Sequence, residues 1–531
     1  MSATFTALLP EIILGVVASF VFLGGTWKQV NSSTWGVASL IGLALSFAAV
    51  IARSGDYGAG LNSLIVVDGL TVAVELATLV LGFLLVLTAL SSQSTEETAA
   101  EFFALLLLML SGVMLVSIAN DLVLLFLSLE LISVPTYVLL YSGRRDYGSQ
   151  ESAVKYFLLS VLSAAILLYG FSFVYGLTGA TNLTAVRDVL TATYAVGPAG
   201  TTGDGSVLGM VALVLLFAGL GFKIAAVPFH FYAPDVYQGT TAMNAGLLSV
   251  LPKVAGIVAI IRLTMEALVG FEAAGESVAL ILALISMSCG NCLALLQNNV
   301  RRMMAYSGIA HAGYLLIGIA IGFWDISRPE ATLNAGTGLP GGVRACLLYL
   351  AAYSLATVGL FAVLHYLPRK GRQIDTVDDL TGLVRSQPLM AICAAIFLFS
   401  LSGIPPLPGF WGKLGLFTGA LAARTPDGYI QLGFLLLAIV GVINAAIGAV
   451  YYLRIVAVMF LNDPLTTHQP EGGRSAYLAA GASALLVLLL GVLPGPAFQV
   501  LSSIDSRSIT QQRSAAAPVV VDASPVQAVR P

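Results

Sequence analysis

Residues 221–239 read GFKIAAVPFHFYAPDVYQG, and they set a lysine, two prolines, a histidine and an aspartate inside a long apolar tract. A lysine at the centre of a bilayer costs about 2.5–3.5 kcal/mol on insertion scales. Each proline removes a backbone N–H and frees an upstream carbonyl. Such irregular backbone is tolerated at membrane depth only where protein or water satisfies it. The stretch therefore reads as a membrane helix broken around a buried charge.

The rest of the chain supports a membrane setting. Of 531 residues, 58% are hydrophobic and 10% are charged, whereas a soluble domain carries roughly 25% charged residues. The apolar runs recur without a soluble block between them, which implies an all-α polytopic membrane protein. A span needs about 20 apolar residues, and that window yields fourteen candidates. They lie near 10–27, 34–53, 66–90, 100–118, 121–141, 150–176 and 207–238, then 240–266, 276–299, 301–324, 343–367, 388–421, 430–461 and 476–500. The tracts 207–238, 388–421 and 430–461 are too long for simple straight spans.

The net charge of −3 gives no support to nucleic-acid binding, and no long basic tract offers a phosphate-tracking surface. The first lysine is Lys28, so segment 10–27 lacks the basic flank of a secretory signal and is expected to be a retained span. One set of loops carries Lys28, Arg144, Arg145, Arg301, Arg302, Arg369, Lys370, Arg372, Arg385 and Arg474. The opposite set carries Arg53, Arg187, Arg328, Arg344 and Arg424. By the positive-inside rule the first set is cytoplasmic and both termini face outward. The loop 177–206 is expected to be irregular and the tail from Ser502 disordered. Gly336-Thr-Gly338-Leu-Pro-Gly341 matches GxGxxG but neither follows a strand nor opens a helix, so it is no dinucleotide site.

Cys289 and Cys292 have CxxC spacing without a second pair, and with Cys346 and Cys393 they read as small packing residues. A metal site is not expected, nor is an iron–sulfur cluster held by this chain, because four-thiolate spacing is absent.

Depth separates ordinary charges from informative ones. Arg262 and Arg454 lie near span ends, where snorkelling is the expectation. Asp68 and Asp121 are expected to cap helix starts. Glu75 stays undecided, and Lys155, five residues into its span, fits snorkelling and function equally. Glu130 in LFLSLELISVPTY, Lys223, Lys253 in LLSVLPKVAGI and Lys413 in LSGIPPLPGFWGKLGLF sit at mid-depth. Structural ion pairs would account for one such residue; one acid and three lysines point to an ion path. His230 and His311 are candidate relays beside them. His365 and His468 read as span-end and loop residues. A second break, at Pro405, Pro406 and Pro408, lies beside Lys413 as Pro228 lies beside Lys223. Paired breaks in corresponding halves are the mark of an inverted-repeat transporter core.

At FKIAAVPFHFYAPDVYQG, LPKVAG, NNVRRMMAYSGIAHAGY and GIPPLPGFWGKLGLF the chain resembles the antiporter-like membrane subunits of respiratory complex I, over most of residues 60–460. The first motif departs from the HxWLPDA-like wording of the sister subunits L and M. Subunit M usually has glutamate where Lys413 stands, and the polar tail here cannot supply the lateral helix of subunit L. The resemblance implies fourteen transmembrane helices with two inverted five-helix repeats, spans 4–8 and 9–13, discontinuous at spans 7 and 12. It implies segments 1–95, 96–270, 271–465 and 466–501, with the tail 502–531. Glu130 would be the acid of span 5, Lys223 its partner on span 7, Lys253 the central lysine and Lys413 the exit-side lysine. His311 would line the polar axis, with His230 and Lys155 as further candidate relays.

The implied function is proton translocation in an NADH-quinone oxidoreductase of the bacterial plasma (inner) membrane. No cofactor is expected on this chain; NADH, FMN, iron–sulfur clusters and quinone belong to the complex. Expected partners are subunits M and K as neighbours, the lateral helix of subunit L, and the lipid bilayer. Two other readings stay open: a subunit of a cation/proton antiporter, and a non-conducting membrane scaffold.

Overall fold

The structure, a computed structural model, describes residues 2–27, 31–53, 64–90, 98–143, 146–194, 207–268, 270–327, 342–367, 374–425, 427–464 and 472–502. Among them every regular element is helical, with no β-strand. Thirteen helices are long and apolar enough to cross a membrane. A fourteenth span is made of two short helices on either side of the proline cluster.

In chain order, span 1 is Leu9–Trp27, span 2 Ser32–Arg53, span 3 Gly69–Ala89, span 4 Ala99–Ile118 and span 5 Leu122–Gly143. Span 6 is Tyr147–Thr178, and span 7 is divided into 7a, Val207–Ile224, and 7b, Tyr232–Gly239. Span 8 is Ala242–Glu266, span 9 Glu272–Leu295, span 10 Val300–Ser327 and span 11 Gly342–Tyr366. Span 12 is divided into 12a, Pro388–Ser402, and 12b, Pro408–Ala422; span 13 is Leu432–Leu461 and span 14 Gly473–Val492.

Burial sorts these helices by role. Span 8 is enclosed along its membrane length, and spans 10 and 11 nearly so. Spans 1, 2, 6 and 13 turn large apolar residues outward, among them Phe20, Leu45, Leu162 and Ile443. An apolar exterior suits lipid, and the enclosed spans are free to hold polar groups against one another. Spans 9 and 10 make the most extensive helix pair. A Cβ on Gly290 or Gly313 would lie 2.5 or 2.6 Å from the facing backbone nitrogen of Ala310 or Met287. Small residues permit this close approach where lipid supplies no hydrophobic driving force.

The structure corrects several expectations. The tract 430–461, expected to be too long for a simple span, is one continuous helix of 30 residues, Leu432–Leu461. The loop 177–206 is not wholly irregular: Leu183–Tyr194 is a helix whose Leu183, Val186 and Leu190 are buried. That i, i+3, i+7 stripe was hidden among the threonines. Span 14 stops at Val492 rather than running to 500, and a separate short helix, Gly495–Ser502, follows Pro494. Arg262 does not snorkel. It is buried and grips Asp68 at the start of span 3 with two bonds of 2.6 and 2.9 Å, adding one to Thr71 at 2.8 Å.

Asp68 also caps span 3 through the Thr71 N–H, and Asp121 accepts from the Val123 N–H at 2.9 Å, as expected of both. Arg454 is exposed and reaches Asn298. Residues Lys28, Arg144, Arg145, Arg328, Arg369, Lys370, Arg372 and His468, the GxGxxG segment 336–341, and the tail beyond Ser502 lie outside the described residues.

Candidate functional site

Span 5 presents Glu130 and, one helical turn later, Ser133 on one face. Opposite them, 7a ends with Lys223 in its last turn. The ammonium lies 3.2 Å from a Glu130 oxygen and donates to the Ser133 hydroxyl at 2.5 Å. The lysine side chain is 3% exposed and that of Glu130 23%. Both therefore sit where an unpaired charge would be costly.

The break after Lys223 is built from satisfied backbone. The Ala225 and Ala226 N–H groups close onto the carbonyls of Phe222 and Gly221, and the Val227 N–H donates to Ser286 on span 9 at 3.0 Å. The Tyr232 hydroxyl on 7b reaches back to the Phe222 carbonyl at 3.0 Å. Ala225 adopts a φ of 57°, a left-handed conformation rare for a residue with a Cβ. Span 8 crosses 7a closely here: a Cβ on Gly256 would stand 3.2 Å from the Lys223 Cβ. The neighbouring turn of span 8 carries Lys253.

Lys253 is fully buried and its ammonium donates to the Gly308 carbonyl and, at 3.2 Å, to the Tyr353 hydroxyl. It also stands 4.7 Å from the centre of the Tyr353 ring, a cation–π distance. One turn beyond Ser307 and Gly308 on span 10, His311 is held at both ring nitrogens. Tyr349 of span 11 meets Nδ1 at 2.6 Å and Tyr452 of span 13 meets Nε2 at 2.9 Å.

Lys413 lies on 12b and reaches back across the break. Its ammonium donates to the Leu401 and Ser402 carbonyls at 3.0 and 2.9 Å, and the Tyr314 ring is 5.0 Å away. These carbonyls are the C-terminal end of 12a, where the helix dipole is negative and suits a cation. Gly403 ends 12a at a φ of 89°, which favours glycine. Among the described residues neither Lys253 nor Lys413 has a carboxylate partner.

The structure thus brings Lys223, Lys253, His311 and Lys413 into the enclosed interior, with partly buried Glu130 beside Lys223. It does not bring in Lys155, which is partly exposed and pairs with Glu151 at 2.7 Å and Asp235 at 2.8 Å. Asp235, in the first turn of 7b, is flanked by two cations and pairs with Lys155 and, at 2.6 Å, with Arg302. His230 is half-buried and its ring packs against exposed Phe231. Reasoning from sequence passed over Ser133, Ser307, Tyr314, Tyr349, Tyr353 and Tyr452. The i, i+4 spacing of Tyr349 and Tyr353, two hydroxyls on one face of an apolar span, was the signal that could have found two of them.

Two broken helices with buried ammoniums beside them are the arrangement of an inverted-repeat transporter core, and the relatives narrow the class. Residues 119–439 match the family described as NADH:quinone oxidoreductase/Mrp antiporter, transmembrane. The chain belongs to that family. NADH-quinone oxidoreductase subunit N 1 of Solibacter usitatus is 36% identical over 494 residues, covering 92% of this chain and 94% of its own. A chain of respiratory complex I from Thermus thermophilus superposes with a TM-score of 0.74 at 31% identity, covering 93% of this chain and 99% of its own. A chain of the Mrp complex from a Dietzia species has a TM-score of 0.76 at 20% identity, covering 95% of this chain and 97% of its own; it shares the fold.

Proposed function

We propose that this chain is the subunit N type of proton-translocating membrane subunit in an NADH-quinone oxidoreductase. The observation that carries the reading is the buried Lys223–Glu130 pair at a broken helix, continued by Lys253, His311 and Lys413. A carboxylate beside an ammonium favours the protonated lysine, and its withdrawal favours release. With Glu130 close, Lys223 holds a proton; with Glu130 withdrawn, the proton passes toward Lys253. Tyr353, His311 and Tyr349 offer hydroxyl and imidazole groups between Lys253 and Lys413. Lys413 then discharges toward the outer side.

The energy scale fits. Moving one charge against the membrane potential takes about 2.3 kcal/mol per 100 mV. A swing of about two units in a lysine's proton affinity is worth roughly 2.7 kcal/mol.

In this reading the redox energy arrives from partner subunits that hold FMN and iron–sulfur clusters and react with NADH and quinone. Subunits M and K flank the chain, the lateral helix of subunit L runs along it, and both termini face outward from the bacterial plasma membrane. Spans 4–8 and 9–13 form the two inverted repeats, with His230 and Lys155 at the margin of the first half-channel.

Lys223→Met, similar in length but without the charge, tests the reading. The complex should assemble and oxidise NADH while proton pumping in reconstituted vesicles falls sharply. Wild-type pumping would contradict it. The Mrp-like fold favours one second reading, a cation/proton antiporter subunit. Sodium-dependent exchange without co-purifying flavin and iron–sulfur subunits would support that reading instead.

A further inference from the structure

Spans 1–3 hold another buried charge cluster, apart from the lysine series. Glu11 lies in the first turn of span 1, Arg53 ends span 2 and Glu75 lies in the second turn of span 3. Their exposures are 3%, 8% and 0%. Arg53 binds one Glu75 oxygen and the Ala7 carbonyl. Among the described residues, Glu75 Oε1 and both oxygens of Glu11 meet no N–H or O–H donor, and the nearby Thr78 hydroxyl also has no partner. Glu75 and Arg53 are the charged groups that act on the Glu11 carboxyl.

Two ionised carboxylates are acceptors only, so they can bond to one another only if one carries a proton. Charge leads to the same place. Two carboxylates against one guanidinium leave a net negative charge closed off from water, and an uncompensated buried ion costs several kcal/mol.

Among the described residues, the other charges near these spans do not fill the gap. Arg262 of span 8 is committed to Asp68. Span 4 faces Glu11 with Ser111, whose hydroxyl donates to the Glu11 carbonyl at 3.5 Å, and its own acid, Glu101, is exposed. Of the other elements packed on span 3, span 11 carries Arg344 and His365 at its two ends, span 14 carries Arg474 at its start, and helix Gly495–Ser502 carries no charge.

We propose that Glu11 and Glu75 bind one proton between them against Arg53, forming a proton site in spans 1–3 separate from the lysine axis. Glu11 is the acid and donates to Glu75; Glu75 remains a carboxylate and takes its second bond from Arg53. A metal cation is the poorer occupant, because the guanidinium already sits at the site. None of this depends on the proposed function, since the axis residues take no part.

The test uses the intact purified complex carrying Glu11→Gln or Glu11→Ala. Glutamine keeps an N–H donor toward Glu75, so that variant should assemble and melt like the wild type. Its infrared spectrum at neutral pH should lack one carboxylic-acid C=O band that the wild type shows. Alanine removes the donor and should lower the melting temperature. If Glu11 were ionised, Glu11→Ala would relieve repulsion and leave the melting temperature equal or higher, which would overturn the proposal. An unchanged acid band in the assembled Glu11→Gln complex, or failure of that variant to assemble, would overturn it as well. A band that responds to sodium against potassium at fixed pH would mark a metal-cation site and overturn the proton assignment.

Discussion

The two broken spans treat their lysines differently. Lys223 belongs to the half-helix before its break and faces Glu130, a counter-charge on another span, at 3.2 Å. Lys413 belongs to the half-helix after its break and is held by the Leu401 and Ser402 carbonyls of its own span's other half. A carboxylate on a separate helix can approach or withdraw, so the first site suits a switch. Backbone dipoles at a helix end move only with the helix, so the second suits a fixed resting place. In the proposed mechanism, one fold motif used twice gives a buried ammonium two different kinds of partner.

Glu130→Ala, which removes the counter-charge of the first site, should have the largest effect: a sharp loss of NADH-driven proton pumping in reconstituted vesicles. Next come the backbones of the breaks. Gly403 adopts a φ of 89°, and a Cβ there would stand 3.0 Å from the Lys413 Cδ. Gly403→Ala should cost about 1–2 kcal/mol from the left-handed backbone alone, seen as a lower melting temperature and slower pumping. Ala225→Gly, at a φ of 57° in the other break, should act in the opposite sense and raise the melting temperature. Equal effects at the two positions would deny that the breaks are differently strained.

A smaller effect is expected at the join between the halves. Tyr353→Phe keeps the ring but removes the hydroxyl that accepts from Lys253 and donates to the Ser249 carbonyl at 3.1 Å. Loss of such a bond is worth about 0.5–1.5 kcal/mol, which corresponds to a slowing of pumping by up to about tenfold. Steady-state pumping at saturating NADH checks it. Lys155→Ala should have the least effect, because exposed ion pairs contribute about 0–1 kcal/mol. A strong loss of pumping in that variant would bring Lys155 into the first half-channel.

The lysines and Glu130 were legible from depth alone, because a charge ten residues inside an apolar span has few innocent explanations. The breaks were legible from proline. What was not legible is what each charge meets. Arg262 looked like a snorkelling residue because its partner, Asp68, is 194 residues away in sequence. Glu75 stayed undecided for the same reason, since Arg53 read as a loop charge. The holders of Lys413 are backbone carbonyls, which every residue possesses and no side-chain pattern marks. Tyrosines fit an apolar core and a polar axis equally well, so Tyr349 and Tyr452 gained meaning only when His311 was found between them.

In the proposed mechanism Glu130 switches the proton affinity of Lys223. The most direct test is the proton-to-electron ratio of purified complexes carrying Glu130→Ala, reconstituted in sealed vesicles and driven by NADH. Assembled complexes should continue electron transfer at a clearly reduced ratio. An undiminished ratio in fully assembled complexes would contradict the mechanism.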